Sequence, residues 1–212
     1  MEQSLEPYLE AGPPALARQV SRVVSDARVI AAFATIPRHL FVGAEEQWRA
    51  YEDRALPLFE GQTISQPSMI ALMLEALAPE PGNRALEVGA GSGYAAALLS
   101  TLVGVVDAVE IKPALVAFAR QALARASVKN VVLHEADGLG GLPELAPFDR
   151  ILVSAAAREL PPSLVDQLAP GGRIAIPVGG AEGQTLRVGV RHEDGVRWEE
   201  QTPCTFVPLV GS

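Results

Sequence analysis

The chain has 212 residues, 17 Lys and Arg against 25 Asp and Glu for a net charge of −8, and one cysteine. That length suits one domain with its own core; 49% hydrophobic and 20% charged residues exclude a disordered chain, and a lone Cys204 excludes an internal disulfide framework or a multi-cysteine zinc site. Lys and Arg are scattered and outnumbered, and no apolar stretch nears the ~20 residues that cross a bilayer, so nucleic acid and membrane are not expected as partners.

The first ten residues, MEQSLEPYLE, are acidic and lack the basic-then-apolar layout of a secretory signal. A soluble, cytoplasmic monomer is expected. From about Pro13 to Ile36, apolar residues recur at three- and four-residue spacing, which predicts one or two amphipathic helices with a break and a cap near Ser25-Asp26. Pro37 to Gln66 is punctuated by Pro37, Gly43, Pro57 and Gly61 and reads as a long ordered loop with short helical turns. Loops of that length in compact domains are usually functional.

Beyond Pro67 the rhythm is regular. Met69–Ala78 reads as a helix closed by Pro79-Glu80-Pro81-Gly82. Strands are predicted at Ala85–Val88, Val105–Glu110, Val131–Ala136, Ile151–Ala155 and Arg173–Val178. Helices are predicted over Tyr94–Leu102, Pro113–Ala126 and Pro161–Ala169, the last ending at Gly171-Gly172. The remainder suggests two antiparallel strands joined at Asp194-Gly195, the second running on through Val210. The fold class is α/β, a doubly wound, mostly parallel sheet with a C-terminal antiparallel hairpin and an N-terminal helical cap.

Glu87-Val88-Gly89-Ala90-Gly91-Ser92-Gly93 sits between a predicted strand and a predicted helix. Glycines there let the backbone approach a ligand, and the free N–H groups of the helix start favour an anion. Glu110, ending the next strand, is placed to accept both hydroxyls of a ribose. The spacing is G-A-G-S-G, not the dinucleotide G-x-G-x-x-G. Glu87 would repel a pyrophosphate but pairs, directly or through water, with an ammonium group. S-adenosylmethionine, with an amino group, a carboxylate and a ribose but no phosphate, fits better than NAD. Asp137-Gly138, after the third strand, either reads the adenine amine or is simply a turn.

The segments RALPLFEGQTISQPSMIALMLEAL, ALEVGAGSGYAAALL, APFDRILVSAAA and APGGRIAIPVG resemble the successive motifs of protein-L-isoaspartate O-methyltransferases, a family of class I S-adenosylmethionine-dependent enzymes with a Rossmann-like sheet. IPRHLFV and FVPLV extend the likeness, which runs from about Val29 onward. The glycine loop is shared by many methyltransferases; Gln62–Pro67 is the more diagnostic segment. The resemblance implies one methyltransferase domain, with residues 1–66 as helical cap and substrate-facing loop and 67–212 as cofactor-binding core. It implies methyl transfer to the free carboxylate of L-isoaspartyl residues in damaged proteins, initiating repair. It also assigns Ser65 to the active site, and Thr63, Ile64 and Ser65 to the cofactor-binding segment. Gly89 and Gly91 fall at the methionine end, Glu110 at the ribose, and Asp137 and Gly138 at the adenine. Val210 stands where some members carry threonine, and the first 28 residues do not match the family's N-terminal helix closely.

A carboxylate acceptor needs no general base, which suits a chain with no His or Cys at an obvious catalytic position. Ser65 reads as a hydrogen-bond donor orienting the acceptor, or else as the cap of the helix starting near Pro67. His39, His134 and His192 have no metal-site spacing, and no metal is expected. Cys204 reads as a core or edge residue, Trp48 and Tyr51 as groove or packing aromatics, and Arg54 as a steering charge or a partner of Asp53. The rivals are a methyltransferase for small-molecule carboxylates, a noncatalytic cofactor-binding relative and, more weakly, an NAD-dependent oxidoreductase.

Overall fold

The computed structural model describes residues 12–211. The acidic segment read as lacking a secretory signal lies outside the described residues. Helices α1 (Gly12–Val20) and α2 (Ala27–Thr35) form the cap, and the break falls at Asp26, whose side chain accepts the Arg28 N–H. Two 3₁₀ turns follow, Arg38–Phe41 and Ala44–Arg49. The rest of the long loop folds into a two-stranded antiparallel ribbon, β1 (Leu56–Pro57) and β2 (Thr63–Ile64). Two-residue strands carry no alternation, so nothing in the pattern announces them.

Helix α3 (Pro67–Leu77) begins two residues earlier than predicted, because Pro67 suits the first helical turn, and ends at Ala78 in the left-handed region. The sheet follows: β3 (Arg84–Val88), β4 (Val105–Glu110), β5 (Val131–Glu135), β6 (Phe148–Val153), β7 (Leu168–Gly180), β8 (Gly183–His192) and β9 (Gly195–Cys204). Helices α4 (Tyr94–Ser100), α5 (Pro113–Arg125) and the short α6 (Pro162–Asp166) connect them. Strand order is β5-β4-β3-β6-β7-β8-β9, parallel as far as β7 and antiparallel from β7 to β9.

Three details depart from the sequence pattern. Strand β7 starts at Leu168, where Phe148 pairs with it, so the preceding helix is shorter than predicted. Burial of Leu168 and Phe148 outweighs helix continuation, and the register shift between Phe148 and Arg150 leaves Gly171-Gly172 inside the strand. The antiparallel part is a three-stranded meander, and its last turn is Glu193-Asp194, one residue earlier than predicted. Finally, β9 stops at Cys204. The next residues leave the sheet edge and lie beside the end of β6, with Ala156 N–H to Val207 O and Leu209 N–H to Ala156 O both at 2.8 Å. The Gln184 side chain holds that excursion, accepting Phe206 N–H at 2.6 Å and donating to Phe206 O at 3.0 Å.

Alternation along the central strands divides the core. Leu86, Val88, Val109, Ile151 and Val153 pack on one face with Leu164 and Leu168. Ala85, Val106, Ala108 and Leu152 face the helical side with Leu16, Phe33, Leu74 and Leu98. Glu87 lies between Leu86 and Val88 in sequence, so it points to the helical side. There it is wholly buried.

Candidate functional site

The carboxyl ends of β3, β4, β5 and β6 share one sheet edge. Strand β3 is where the order turns, with β4 on one side and β6 on the other. Open α/β sheets form their ligand crevice at such a switch point.

The glycine loop leaves β3 there. Gly89 and Ala90 N–H both donate to Val109 O at 2.9 Å, which ties the loop to β4. Gly91 has φ +54°, and a Cβ there would meet nothing within 4 Å, so the position faces open space in a conformation that disfavours side chains. Its N–H donates to Glu110 Oε2 at 2.8 Å, and Lys112 N–H donates to Oε1 at 3.0 Å. Two backbone donors fix the carboxylate while each oxygen keeps a lone pair for a further hydroxyl.

Three adjoining cavities open around this loop. A cleft of about 40 Å³ is lined by Thr63, Gly89, Gly91, Glu110, Gly138 and Leu209, among others. A chamber of about 30 Å³, room for a water, includes Glu87, Gly91, Tyr94, Ile64 and Ser65. A wider groove of about 480 Å³ includes Ser65, Gln66, Met69, Cys204 and Phe206. Thr63 and Ser154 line all three, so they stand where the spaces meet.

Glu87 is the electrostatic centre of the chamber. Ser154 Oγ donates to its Oε1 at 2.7 Å, while Oε2 is buried without a hydrogen-bond partner. Burial, with the nearby Glu110 carboxylate adding to it, pushes the Glu87 carboxyl up to about 8. A buried acceptor with an unused oxygen fits an ammonium group and opposes a phosphate. Together with the Gly91 opening and the Glu110 carboxylate, this donor set fits the amino-acid and ribose ends of S-adenosylmethionine.

The other expected residues are placed as follows. Ser65 lies at the border of chamber and groove, and among the described residues its Oγ makes no hydrogen bond. It is not the α3 cap: that position is Gln66, with no side-chain cap bond. Asp53 serves the helix start instead, accepting Ser68 N–H at 2.8 Å and Ser68 Oγ–H at 2.6 Å. Thr63 faces the cleft, whereas the Ile64 side chain packs into the core. Gly138 lines the cleft, and a Cβ there would lie 2.7 Å from Val88 Cγ1, so only glycine fits. Asp137 caps the 3₁₀ turn Gly138–Gly140 by accepting Leu139 N–H at 2.9 Å, as an Asp-Gly turn does.

Arg54 sits by Glu52 at 3.6 Å, not by Asp53. Tyr51 is buried against His39, with His39 Nδ1 and Tyr51 Oη 2.7 Å apart, and Trp48 is exposed beside Arg49. Cys204 is partly buried at the end of β9. Among the described residues, no group of three or more His, Cys, Asp or Glu is arranged for a metal, and no helix is long and apolar enough to cross a membrane.

Three contributors escape a reading of the sequence. Ser154 looks like the end of an apolar strand, Asp53 like one of several loop acids, and Arg38 like a loop cation. Arg38 is in fact 0% exposed and donates to four backbone carbonyls. The one available signal was an arginine set among the apolar residues of Ile36-Pro37-Arg38-His39-Leu40-Phe41.

The sequence profile of the family described as protein-L-isoaspartate(D-aspartate) O-methyltransferase matches residues 16–212, beginning well before Val29, where the motifs first become legible. A protein-L-isoaspartate O-methyltransferase of Roseiflexus castenholzii is 52% identical over 192 residues, covering 91% of this chain and 88% of its own. One from Aeropyrum pernix is 46% identical over 213 residues, covering 97% and 82%. Among solved structures, a protein-L-isoaspartate O-methyltransferase superposes with a TM-score of 0.83 at 30% identity, over 93% of this chain and 65% of that longer one. A putative one from Plasmodium falciparum, in complex with S-adenosyl-L-homocysteine, gives 0.82 at 26% identity, over 94% and 98%.

Proposed function

The chain belongs to the protein-L-isoaspartate(D-aspartate) O-methyltransferase family, so it is an S-adenosylmethionine-dependent enzyme of protein repair, and we propose how its residues share the transfer of a methyl group to the L-isoaspartyl carboxylate. S-adenosylmethionine, when bound, supplies a methyl group on a sulfonium with a neutral thioether as leaving group. The acceptor carboxylate, with an ordinary pKa near ~4, is already ionised at neutral pH. With the cofactor bound, its oxygen would take the methyl group as the C–S electron pair went to sulfur, and no residue of this chain would need to move a proton.

The protein's task is therefore placement and exclusion of water. Glu87 would hold the amino group, Gly89 and Gly91 would give the methionine end close backbone approach, Glu110 would take the ribose, and Asp137 with Gly138 would bound the adenine. Thr63 and Ile64 cover the cofactor from the ribbon. Ser65 donates its Oγ–H to the acceptor carboxylate, which arrives through the groove. The observation that carries this reading is the unpartnered Ser65 hydroxyl at the junction of groove and chamber.

In this reading residues 1–66 form the cap and substrate-facing loop of a single domain, and 67–212 its cofactor core. A cytoplasmic monomer acting on isoaspartyl proteins, without nucleic-acid or membrane partners, is the setting we propose, supported by the net charge of −8 and the free Cys204. The test offers methyl-labelled S-adenosylmethionine with a matched pair of isoaspartyl and aspartyl peptides. Only the isoaspartyl member should be labelled; equal labelling would move the reading to a general carboxylate methyltransferase. With Ser65→Ala, kcat should fall at least ~30-fold with S-adenosylhomocysteine affinity nearly unchanged. Normal turnover with a lower melting temperature would remove Ser65 from the site.

A further inference from the structure

Arg38 carries a full charge in a wholly buried position and faces no carboxylate at salt-bridge distance among the described residues. Its Nη1 donates to Ala50 O at 2.8 Å and Glu52 O at 3.1 Å; its Nη2 donates to Arg54 O at 2.9 Å and Ser65 O at 3.1 Å. The guanidinium also lies 5.8 Å from the centre of the Tyr94 ring. Burial lowers its pKa only to about 10, so the cation persists at neutral pH.

These contacts join three pieces of chain that are separate in sequence. Ala50–Arg54 is the turn preceding the ribbon, Ser65 is the acceptor-orienting residue, and Tyr94 is the first residue of α4, directly after the glycine loop. The segment around Ser65 has scant backbone pairing of its own: β1 and β2 share two residue pairs, and the Ser65 carbonyl is bonded by Arg38. On the other side, Asp53 holds the start of α3 and also accepts Gln66 Nε2–H at 3.2 Å. Alongside the Asp53 bonds, the Arg38 guanidinium thus ties the Ser65 backbone to the Ala50–Arg54 turn while lying against the Tyr94 ring that follows the glycine loop. In-line transfer tolerates very little displacement of the acceptor, since misplacement by about 1 Å can cost ~100-fold in rate.

We propose that Arg38 is a positioning residue for methyl transfer, which acts through Ser65 by clamping its backbone to the Ala50–Arg54 turn and to the start of α4. This inference rests on the reading of Ser65 as the residue that orients the acceptor. A lysine cannot replace the fork: its ammonium keeps the charge but offers three donors from one point, too few for four carbonyls. A methionine leaves all four carbonyls without their donor, the Ala50 carbonyl in a buried position.

The experiment compares wild type, Arg38→Lys, Arg38→Met, Ser65→Ala and the Arg38→Lys/Ser65→Ala double variant. It reads kcat and KM for an isoaspartyl peptide, S-adenosylhomocysteine affinity by calorimetry, and near-ultraviolet circular dichroism. Arg38→Lys should fold, bind S-adenosylhomocysteine within about 3-fold of wild type, and lose at least ~30-fold in kcat. Arg38→Met should be slower still, so that lysine counts as partial rescue. In the Ser65→Ala background, Arg38→Lys should cost less than about 3-fold more, because both changes remove one interaction. The inference is overturned if Arg38→Lys turns over normally, if the two losses multiply, or if Arg38→Lys loses tertiary structure, which makes the clamp a folding element. Ser65→Ala at wild-type kcat would overturn the Ser65 reading and this inference together, whereas a slow Ser65→Ala with a normal or multiplicative Arg38→Lys overturns the clamp alone.

Discussion

Glu87 has a carboxyl raised from its ordinary 4.5 to about 8 by burial. The folded, ligand-free protein therefore binds more protons than the unfolded chain between those values, and its stability falls as pH rises through that window, levelling off above about 8. In the proposed site, an arriving ammonium group would reverse the preference and restore the carboxylate. Binding of S-adenosylhomocysteine near pH 7 should then release about one proton, read by calorimetry in buffers of different ionisation enthalpy. Glu87→Gln should release none and bind about 10- to 100-fold more weakly, the worth of a hydrogen bond to a charged group. Proton-neutral binding by the wild type would remove Glu87 from the ammonium site. Two glycines give a complementary pair of tests. Gly138→Ala places a methyl group 2.7 Å from Val88 Cγ1 and should lower stability by about 1–3 kcal/mol. Gly91→Ala meets no protein atom within 4 Å, so after a backbone cost of about 1 kcal/mol its main effect should be on S-adenosylhomocysteine affinity. Equal losses of affinity in both variants would contradict this division.

Among the elements, α3 shows how one loop carboxylate secures both a helix and a site. The side chain of its N-cap residue, Gln66, makes no capping bond, and Asp53 supplies the missing acceptor from another segment. Asp53→Ala should cost about 0.5–2 kcal/mol, a fall of several degrees in melting temperature for a chain of this size. No change in melting would show that solvent replaces the cap. Such a cap is invisible in sequence, where the partners stand 15 residues apart. Elements with a strong period were legible: β4 and the start of α5 fall where the apolar run and Pro113 put them. The structure also brings Gly89, Gly91 and Glu110 to one cleft, an adjacency that a strand, a glycine turn and an acid at the next strand end imply. The ribbon Leu56–Ile64, the early start of β7 and the departure after Cys204 were not legible. Each depends on long-range pairing that no local period encodes. Arg38 was hidden for the same reason, since its four acceptors lie 12 to 27 residues downstream.

For the whole molecule, the net charge of −8 opposes a reaction whose acceptor is itself anionic. Long-range repulsion of this kind is screened over about 10 Å at 0.1 M salt. Raising ionic strength from ~10 to ~150 mM should therefore lower KM for isoaspartyl peptides with acidic neighbours and leave it nearly constant for neutral ones. A KM that rises with salt for the acidic peptides would reveal a local positive field stronger than the global charge. The overall layout adds a constraint of another kind. Thr63 and Ser65 come from the loop before the sheet, Glu87 and Glu110 from β3 and β4 within it, and Val207–Leu209 from beyond its last strand, where Gln184 pins Phe206 and Ala156 receives Val207 and Leu209. A chain ending at Cys204 would carry Gly89, Gly91, Glu110 and Ser65 and still lack one wall of the cleft that Val207–Leu209 line. The cleft is therefore complete only once the segment beyond the last strand has folded back beside β6.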